Sequence, residues 1–183
     1  MQDHAMDEEQ VLLVNERDEP MGTMGKLRAH QEGALHRAFS VFLFDDQGRL
    51  LLQRRAAGKY HSPGLWTNTC CSHPRPDEAV ADAARRRLME EMGIDTPVEH
   101  RFSFQYRADL DSGLIEHELD HVLFGRWNGD VRPNPEEVDD WTYINLDKLD
   151  AELTRHPERY TAWLRICWEQ VRDALRESAP TTN

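Results

Sequence analysis

A chain of 183 residues with 22 Lys and Arg against 34 Asp and Glu, a formal charge of -12, is long enough to bury a full core as one domain. It is too acidic to be held to nucleic acid by phosphate neutralisation, although a small anion needs only a local cluster of Arg and Lys. Three cysteines make no disulfide framework, and no apolar run is long enough to span a bilayer, so the expectation is a soluble, reduced, cytoplasmic protein without a membrane partner.

In chain order, residues 1–10 read as a disordered polar tail and 11–177 as one domain, with a frayed tail over 178–183. Val11–Val14 and Met21–Met24 are short strand candidates, and Lys26 to His30 reads as a helical turn ended by Gly33. Ala38–Phe44 and Leu50–Gln53 flank a hairpin-like Asp45-Asp46-Gln47-Gly48-Arg49. A loop is expected from Ala56 to Pro76, longer than a connector needs. The next stretch carries helix signals: Asp77 as N-cap, Ala83, Ala84, Leu88 and Met92 at helical spacing, and Gly93 as C-cap. Glu91 shares the apolar stripe, and an inward carboxylate has to be paired or liganded. Strands are expected over 98–106, 114–124 and 138–144, then helices over 146–154 and 157–177, the second with Trp163, Ile166, Cys167 and Val171 on its apolar face. Hairpin-connected strands with helices between them give an α+β class, a mixed sheet flanked by helices.

Three groups of residues could carry chemistry. The stretch Trp66-Thr67-Asn68-Thr69-Cys70-Cys71-Ser72-His73-Pro74 puts a thiol two residues from an imidazole, which suits a metal site, acid/base work or a merely buried cysteine. Glu116 and Glu118 alternate across His117, so on a strand they share a face while His117 points away. With His30, His36 and His73 they would suit a divalent ion such as Mn, Mg or Zn, or they form a solvated face. Lys26, Arg54, Arg55, Lys59 and Arg87 would suit a diphosphate, or are surface charge; Trp66, Tyr106 and Trp163 could line an apolar pocket, or are core.

Taken together, Arg54-Arg55, the Trp66 to Pro74 run, Glu90-Glu91-Met92-Gly93 and Glu116-His117-Glu118 fall in an order that resembles type 1 isopentenyl-diphosphate isomerases, which use a Nudix-like fold. The helix is similar to a Nudix box, G-x5-E-x7-R-E-U-x-E-E-x-G-U, with Glu78, Leu88, Glu90, Glu91, Gly93 and Ile94 in register. Ser72 stands where the first Gly belongs and Arg87 where a Glu belongs, which weighs against the alternative, a Nudix diphosphate hydrolase.

The resemblance implies that His30, His36, His73, Glu116 and Glu118 bind one divalent metal, either Mn, Mg or Zn. It implies that Glu91, with the backbone carbonyl of Cys71, holds a Mg that arrives with the substrate diphosphate, and that Lys26, Arg55, Lys59 and Arg87 contact that diphosphate. Cys71, two residues before His73, is the implied catalytic thiol, and Cys70 is expected to be incidental. The reaction protonates an alkene to a tertiary carbocation and deprotonates it on the other face. The expectation is that Glu118 with Tyr106 delivers the proton, that a Cys71 thiolate removes one, and that Trp163 covers the cation. A monomer acting on a small isoprenoid diphosphate is expected. His61 and His117 are left without a role.

Overall fold

The computed structural model describes residues 9–178; most of both predicted tails lies outside the described residues. Nine strands, β1 (Gln10–Val14), β2 (Pro20–Gly25), β3 (His36–Phe44), β4 (Leu50–Arg55), β5 (Trp66–Thr67), β6 (Cys70–Ser72), β7 (Val98–Asp109), β8 (Ile115–Arg126) and β9 (Val138–Ile144), form one mixed sheet. The helices are α1 (Lys26–Glu32), α2 (Val80–Met92), α3 (Leu146–Arg155) and α4 (Ala162–Glu177). The predicted α+β class holds.

The sheet is organised around β3, which runs parallel to β8 in unbroken register from His36 opposite Glu118 to Phe44 opposite Arg126. Along its other edge β3 meets β1 at His36, β6 at residues 39–41 and β4 at Phe44, each antiparallel. β7 continues the sheet beyond β8, and β9 beyond β4. A central strand with neighbours on both edges and helices on both faces buries nearly every side chain, which explains the unbroken apolar run from Val41 to Phe44.

Alternation along β3 sorts that run between two cores. Phe39, Val41 and Leu43 point to one face and pack with Leu51, Leu123 and the Ala83, Ala84, Leu88 and Met92 stripe of α2. Phe42 and Phe44 point to the other, with Val122, Phe124, Leu149 of α3 and Leu164, Cys167, Trp168 and Val171 of α4.

Several expectations are corrected. The long loop contains β5 and β6, and β6 is held in the sheet by β3, which a polar three-residue segment does not advertise. Asp77 is not the cap of α2; Ala79 takes the N-cap position without a side-chain hydrogen bond. The helix expected from Pro157 is interrupted: a 3-10 turn at Pro157–Arg159 precedes an extended Tyr160 and Thr161, and α4 starts at Ala162. Ile166 is exposed, and Leu164 and Trp168 complete the buried face in its place.

Gly93 ends α2 at φ +65, its N–H donating to the carbonyls of Leu88 and Met89. A Cβ there would lie 2.7 Å from the carbonyl oxygen of Arg132. Left-handed geometry costs a non-glycine residue roughly 1–2 kcal/mol even without a clash. Gly93→Ala is therefore expected to destabilise by at least about 2 kcal/mol, read as a lowered midpoint in urea denaturation; an unchanged midpoint would show that the Arg132 segment yields freely.

Candidate active site

The face of the sheet that packs on α4 changes character part-way along. On β3 it reads His36, Ala38, Ser40 and then Phe42; on β8 it reads Glu116, Glu118, Asp120 and then Val122. The apolar half lies under α4, and the polar half lies beyond the start of that helix, where Trp163 stands. Glu116, Glu118 and Asp120 are 3%, 4% and 1% exposed, so these carboxyl groups are buried rather than solvated. Burial on this scale requires partners.

The histidines supply several of them. In α1 the ring of His30 donates Nδ1–H to the carbonyl of Lys26, one turn back, at 2.7 Å, and His36 donates Nδ1–H to the carbonyl of Ala34 at 2.8 Å. Both tautomers are thereby fixed, leaving two buried Nε2 atoms without a hydrogen-bond partner. His73 Nε2 lies 3.0 Å from Glu118 Oε1, with His36 Nε2 at 3.4 Å. Burial lowers the pKa of His73 to about 4, so its ring is neutral. Desolvation would raise the pKa of Glu118, but the adjoining imidazoles, with His73 donating to it at 3.0 Å, hold it well below the usual carboxylate range. Glu116 moves the other way, raised by desolvation and by the charge of Glu118. Tyr106, opposite Glu118 on β7, sets its hydroxyl oxygen 2.9 Å from a carboxyl oxygen of each. One hydroxyl has one proton to give, and of the two carboxyl groups Glu116 is the one pushed toward its protonated form and Glu118 the one held toward its ionised form.

Ligand atoms of His30, His36, His73 and Glu118 all lie within 4.8 Å of one another, as do those of His30, His61 and Glu116. Orphaned imidazole nitrogens facing an ionised carboxylate make a donor set that fits a divalent cation. Glu91 and Cys71 fall outside both groups among the described residues. The Glu91 carboxylate is engaged by Arg87 at 2.7 Å, Gln53 at 3.0 Å and the Cys70 thiol at 3.2 Å.

The pleat separates the two thiols. Cys70 points into the core beside α2, where it reaches Glu91, so it is a structural donor rather than incidental. Cys71, paired with Ser40, points into the cleft. Its thiol donates to Asn68 Oδ1 at 2.9 Å and accepts the indole N–H of Trp163 at 2.9 Å. Desolvation and the nearby Asp120 push its pKa up to about 12. Trp163 is set by the pinned start of α4: Thr161 N–H donates to the Trp66 carbonyl at 3.0 Å, and the Thr161 and Thr67 hydroxyls are 2.8 Å apart.

The same cleft is lined by the four predicted cations. Arg55 lies with its guanidinium 5.3 Å from the centre of the Trp163 ring. Lys26 pairs with Glu9 at 3.1 Å, Lys59 pairs with Glu137, and Arg87 reaches Glu90, Glu91 and Glu137. Arg54 points elsewhere, to Asp139, and Trp66 packs against the α4-side core. His117 turns away to the Gly33 carbonyl at 3.0 Å. Sequence reasoning missed Ser40, Asp120 and His61. Asp120 continues the two-residue spacing of Glu116 and Glu118 and was readable from it; Ser40 and His61 carry no such signal.

The NUDIX domain family matches residues 34–164. Among curated proteins the chain is 58% identical over 164 residues to isopentenyl-diphosphate Delta-isomerase 2 of Aromatoleum aromaticum, covering 90% of this chain and 87% of that protein. It is 49% identical over 156 residues to the isopentenyl-diphosphate Delta-isomerase of Serratia proteamaculans, covering 85% and 87%. A solved Deinococcus radiodurans structure aligns with a TM-score of 0.74 at 23% identity, over 91% of this chain and 99% of that one, which shows a shared fold.

A thiol with its pKa near 12 holds almost no thiolate at pH 8. Iodoacetamide should label Cys71 of the metal-free protein on the order of a thousandfold more slowly than a free cysteine, with a rate that climbs about tenfold per pH unit up to pH 11. Peptide mass spectrometry reads this site by site. Labelling at free-thiol rates would mean a resting thiolate.

Proposed function

The chain belongs to the NUDIX-domain family of isopentenyl-diphosphate Delta-isomerases, and we propose how its own residues divide that reaction. The enzyme interconverts isopentenyl diphosphate and dimethylallyl diphosphate. The observation that supports this division of labour is that one cleft holds the Cys71 thiol braced by Asn68 and Trp163, and the Glu118 carboxyl braced by Tyr106.

Moving a double bond by one position needs a proton delivered at one carbon and removed at another. Two separate groups can do this without either having to travel. Burial and Asp120 favour the protonated thiol of Cys71, and the donors around Glu118 favour its ionised form, which supports the opposite division from the one expected from sequence. For substrate meeting the resting enzyme we assign Cys71 as the acid and Glu118, hydrogen-bonded to Tyr106, as the acceptor. The opposite traffic serves the back reaction. The Trp163 N–H, donating to sulfur, stabilises the thiolate left behind.

A tertiary carbocation beside an indole gains on the order of 2 kcal/mol when water is excluded, and Trp163, only 2% exposed, excludes it. Arg55 already lies against that ring, so the indole is electrostatically committed before substrate enters and its contribution to the cation is shared. Keeping water away is the larger service, since a hydrated cation becomes an alcohol.

Lys26, Arg55, Lys59 and Arg87 hold the diphosphate, which displaces Glu9 and Glu137 from Lys26, Lys59 and Arg87. A divalent ion held by His30, His36, His73, Glu116 and Glu118, either Mn, Mg or Zn, would supply the positive charge that lets two carboxylates sit side by side. A Mg carried in with the diphosphate would meet Glu91 and the Cys71 carbonyl. Among the described residues no helix is long and apolar enough to cross a membrane. In this reading the enzyme is a cytoplasmic monomer with a small-molecule partner and no nucleic acid.

The test is proton exchange: isopentenyl diphosphate, Mg and Mn in deuterated water. Wild type should place deuterium in dimethylallyl diphosphate. Cys71→Ala should lose 10²-fold to 10⁴-fold in rate, the scale of a positioned acid or base, and Cys70→Ala should stay within about tenfold of wild type. Equal losses in both variants would sink the assignment of the thiol, and pyrophosphate or phosphate release without exchange would return the protein to hydrolysis.

A further inference from the structure

We propose that His61 is a sixth side-chain ligand of the ion held by the His/Glu cluster, closing its coordination sphere to water. The proposal rests on reading that cluster as a metal site. The converging ligand atoms form two groups that share His30, one of His30, His36, His73 and Glu118 and one of His30, His61 and Glu116, so a single ion drawing both together would meet six donors. Six donors, four imidazoles and two carboxylates, match the near-octahedral preference of an ion such as Mn.

The surroundings of His61 direct its ring toward the cluster without giving it another task. The imidazole stacks on that of His30, centroids 5.3 Å apart and planes 24° from parallel, with Tyr60 edge-on at 4.7 Å. His61 is 5% exposed, yet Nε2 is 3.8 Å from Glu116 Oε1, beyond hydrogen-bond distance, and Nδ1 has only a 3.5 Å contact with the Ser62 hydroxyl. A buried imidazole ordinarily has a short partner. Its backbone is fixed from both sides: Arg55 donates to the His61 carbonyl at 3.2 Å, and the following Ser62 takes φ +48, a left-handed conformation that a serine adopts only when its neighbours hold it there. An anchored, buried ring beside an acidic oxygen and a second imidazole is placed as a ligand would be.

The chemical consequence concerns water. Metal sites that activate water keep a position open, and sites filled by protein donors do not. In a cleft where a carbocation forms, an ion-bound water would be the nearest quencher. Filling the last position with His61 removes it while leaving the charge of the ion in place.

The experiment loads the purified protein with Mn alone, and measures affinity from the free-Mn electron paramagnetic resonance signal and water access from solvent-proton relaxation. His61→Phe keeps the ring packing and removes the nitrogens; His61→Ala removes both. Wild type should bind one tight Mn with low relaxation enhancement. Both variants should bind at least tenfold more weakly, with enhancement raised severalfold as water enters the vacated position. His61→Phe matching wild type in both readouts overturns the proposal and leaves His61 a packing residue. Wild type that takes up no Mn overturns the metal reading together with it. Should the alanine variant fail to fold by circular dichroism, the phenylalanine variant carries the test.

Discussion

The parallel pairing of β3 with β8 is the constraint on which the site depends. It sets Glu118 beside His36, and with the short antiparallel pairing of β6 on the other edge it brings Cys71 beside Ser40 and Ser40 within 2.8 Å of Asp120, 80 residues away. Because side chains alternate, a slip of one residue would turn Glu116, Glu118 and Asp120 into the core under α2 and bring Leu119 and His121 to the cleft. The apolar ends of the two strands prevent this. Phe42 and Phe44 must face α4, and Val41 and Leu43 must face α2, so hydrophobic burial in one half of the pair fixes the register of the polar half. Folding energy from the core is thus converted into placement of groups that would not by themselves come together.

What is placed there is electrostatically expensive. Three buried carboxyl groups sit at alternate positions of one strand, and simple burial would neutralise them all. The protein favours ionisation of one by aiming donors at it: His73 and Tyr106 converge on Glu118, with His36 beside them, while Glu116 and Asp120 are pushed toward their protonated forms. Neighbouring groups of one chemical type are therefore driven to different protonation states, which is the condition for giving and taking protons at one pH. The cations are handled in a complementary way. Lys26, Lys59 and Arg87 rest in ion pairs with Glu9 and Glu137, so a strongly negative chain keeps a positive cluster at the cleft in paired form.

Much of this was legible in the residues. Period-two spacing placed Glu116 and Glu118 together and His117 apart, helical spacing put Glu91 on the buried stripe of α2, and Gly93 marked the end of that helix because only a residue free at positive φ serves there. The losses have a common cause: they concern positions decided by long-range partners. A three-residue strand such as β6 exists because β3 offers it hydrogen bonds, so no local pattern reveals it. The break before α4 is set by the bond from Thr161 to Trp66, and that break, rather than any capping residue, brings Trp163 over the cleft. Ser40 interrupts the apolar run of β3, and only its neighbours on both edges, Cys71 and Val122, give it a place in the cleft.

The same pairing explains how a NUDIX helix can serve a reaction other than hydrolysis. In the hydrolase box the carboxylates gather metal ions, and this chain keeps the other Glu slots and the Arg slot of the box but alters the arrangement with one added charge, Arg87. Arg86 clamps Glu78 through two nitrogens, at 2.9 and 3.0 Å, and Arg87, standing where a Glu belongs, reaches Glu90 and Glu91. A guanidinium among those carboxylates lowers their pull on a resident cation, and it presents a fork to an anion. Glu91 then faces two ways: it holds Arg87 toward the cleft and accepts the Cys70 thiol from the core. Cys70 is thus the residue through which the box is fastened to β6, and Cys71, turned to the opposite face by the pleat, is left free to meet substrate. Two adjacent cysteines in one strand are split by the two-residue repeat, Cys70 fastening β6 to α2 and Cys71 facing the cleft.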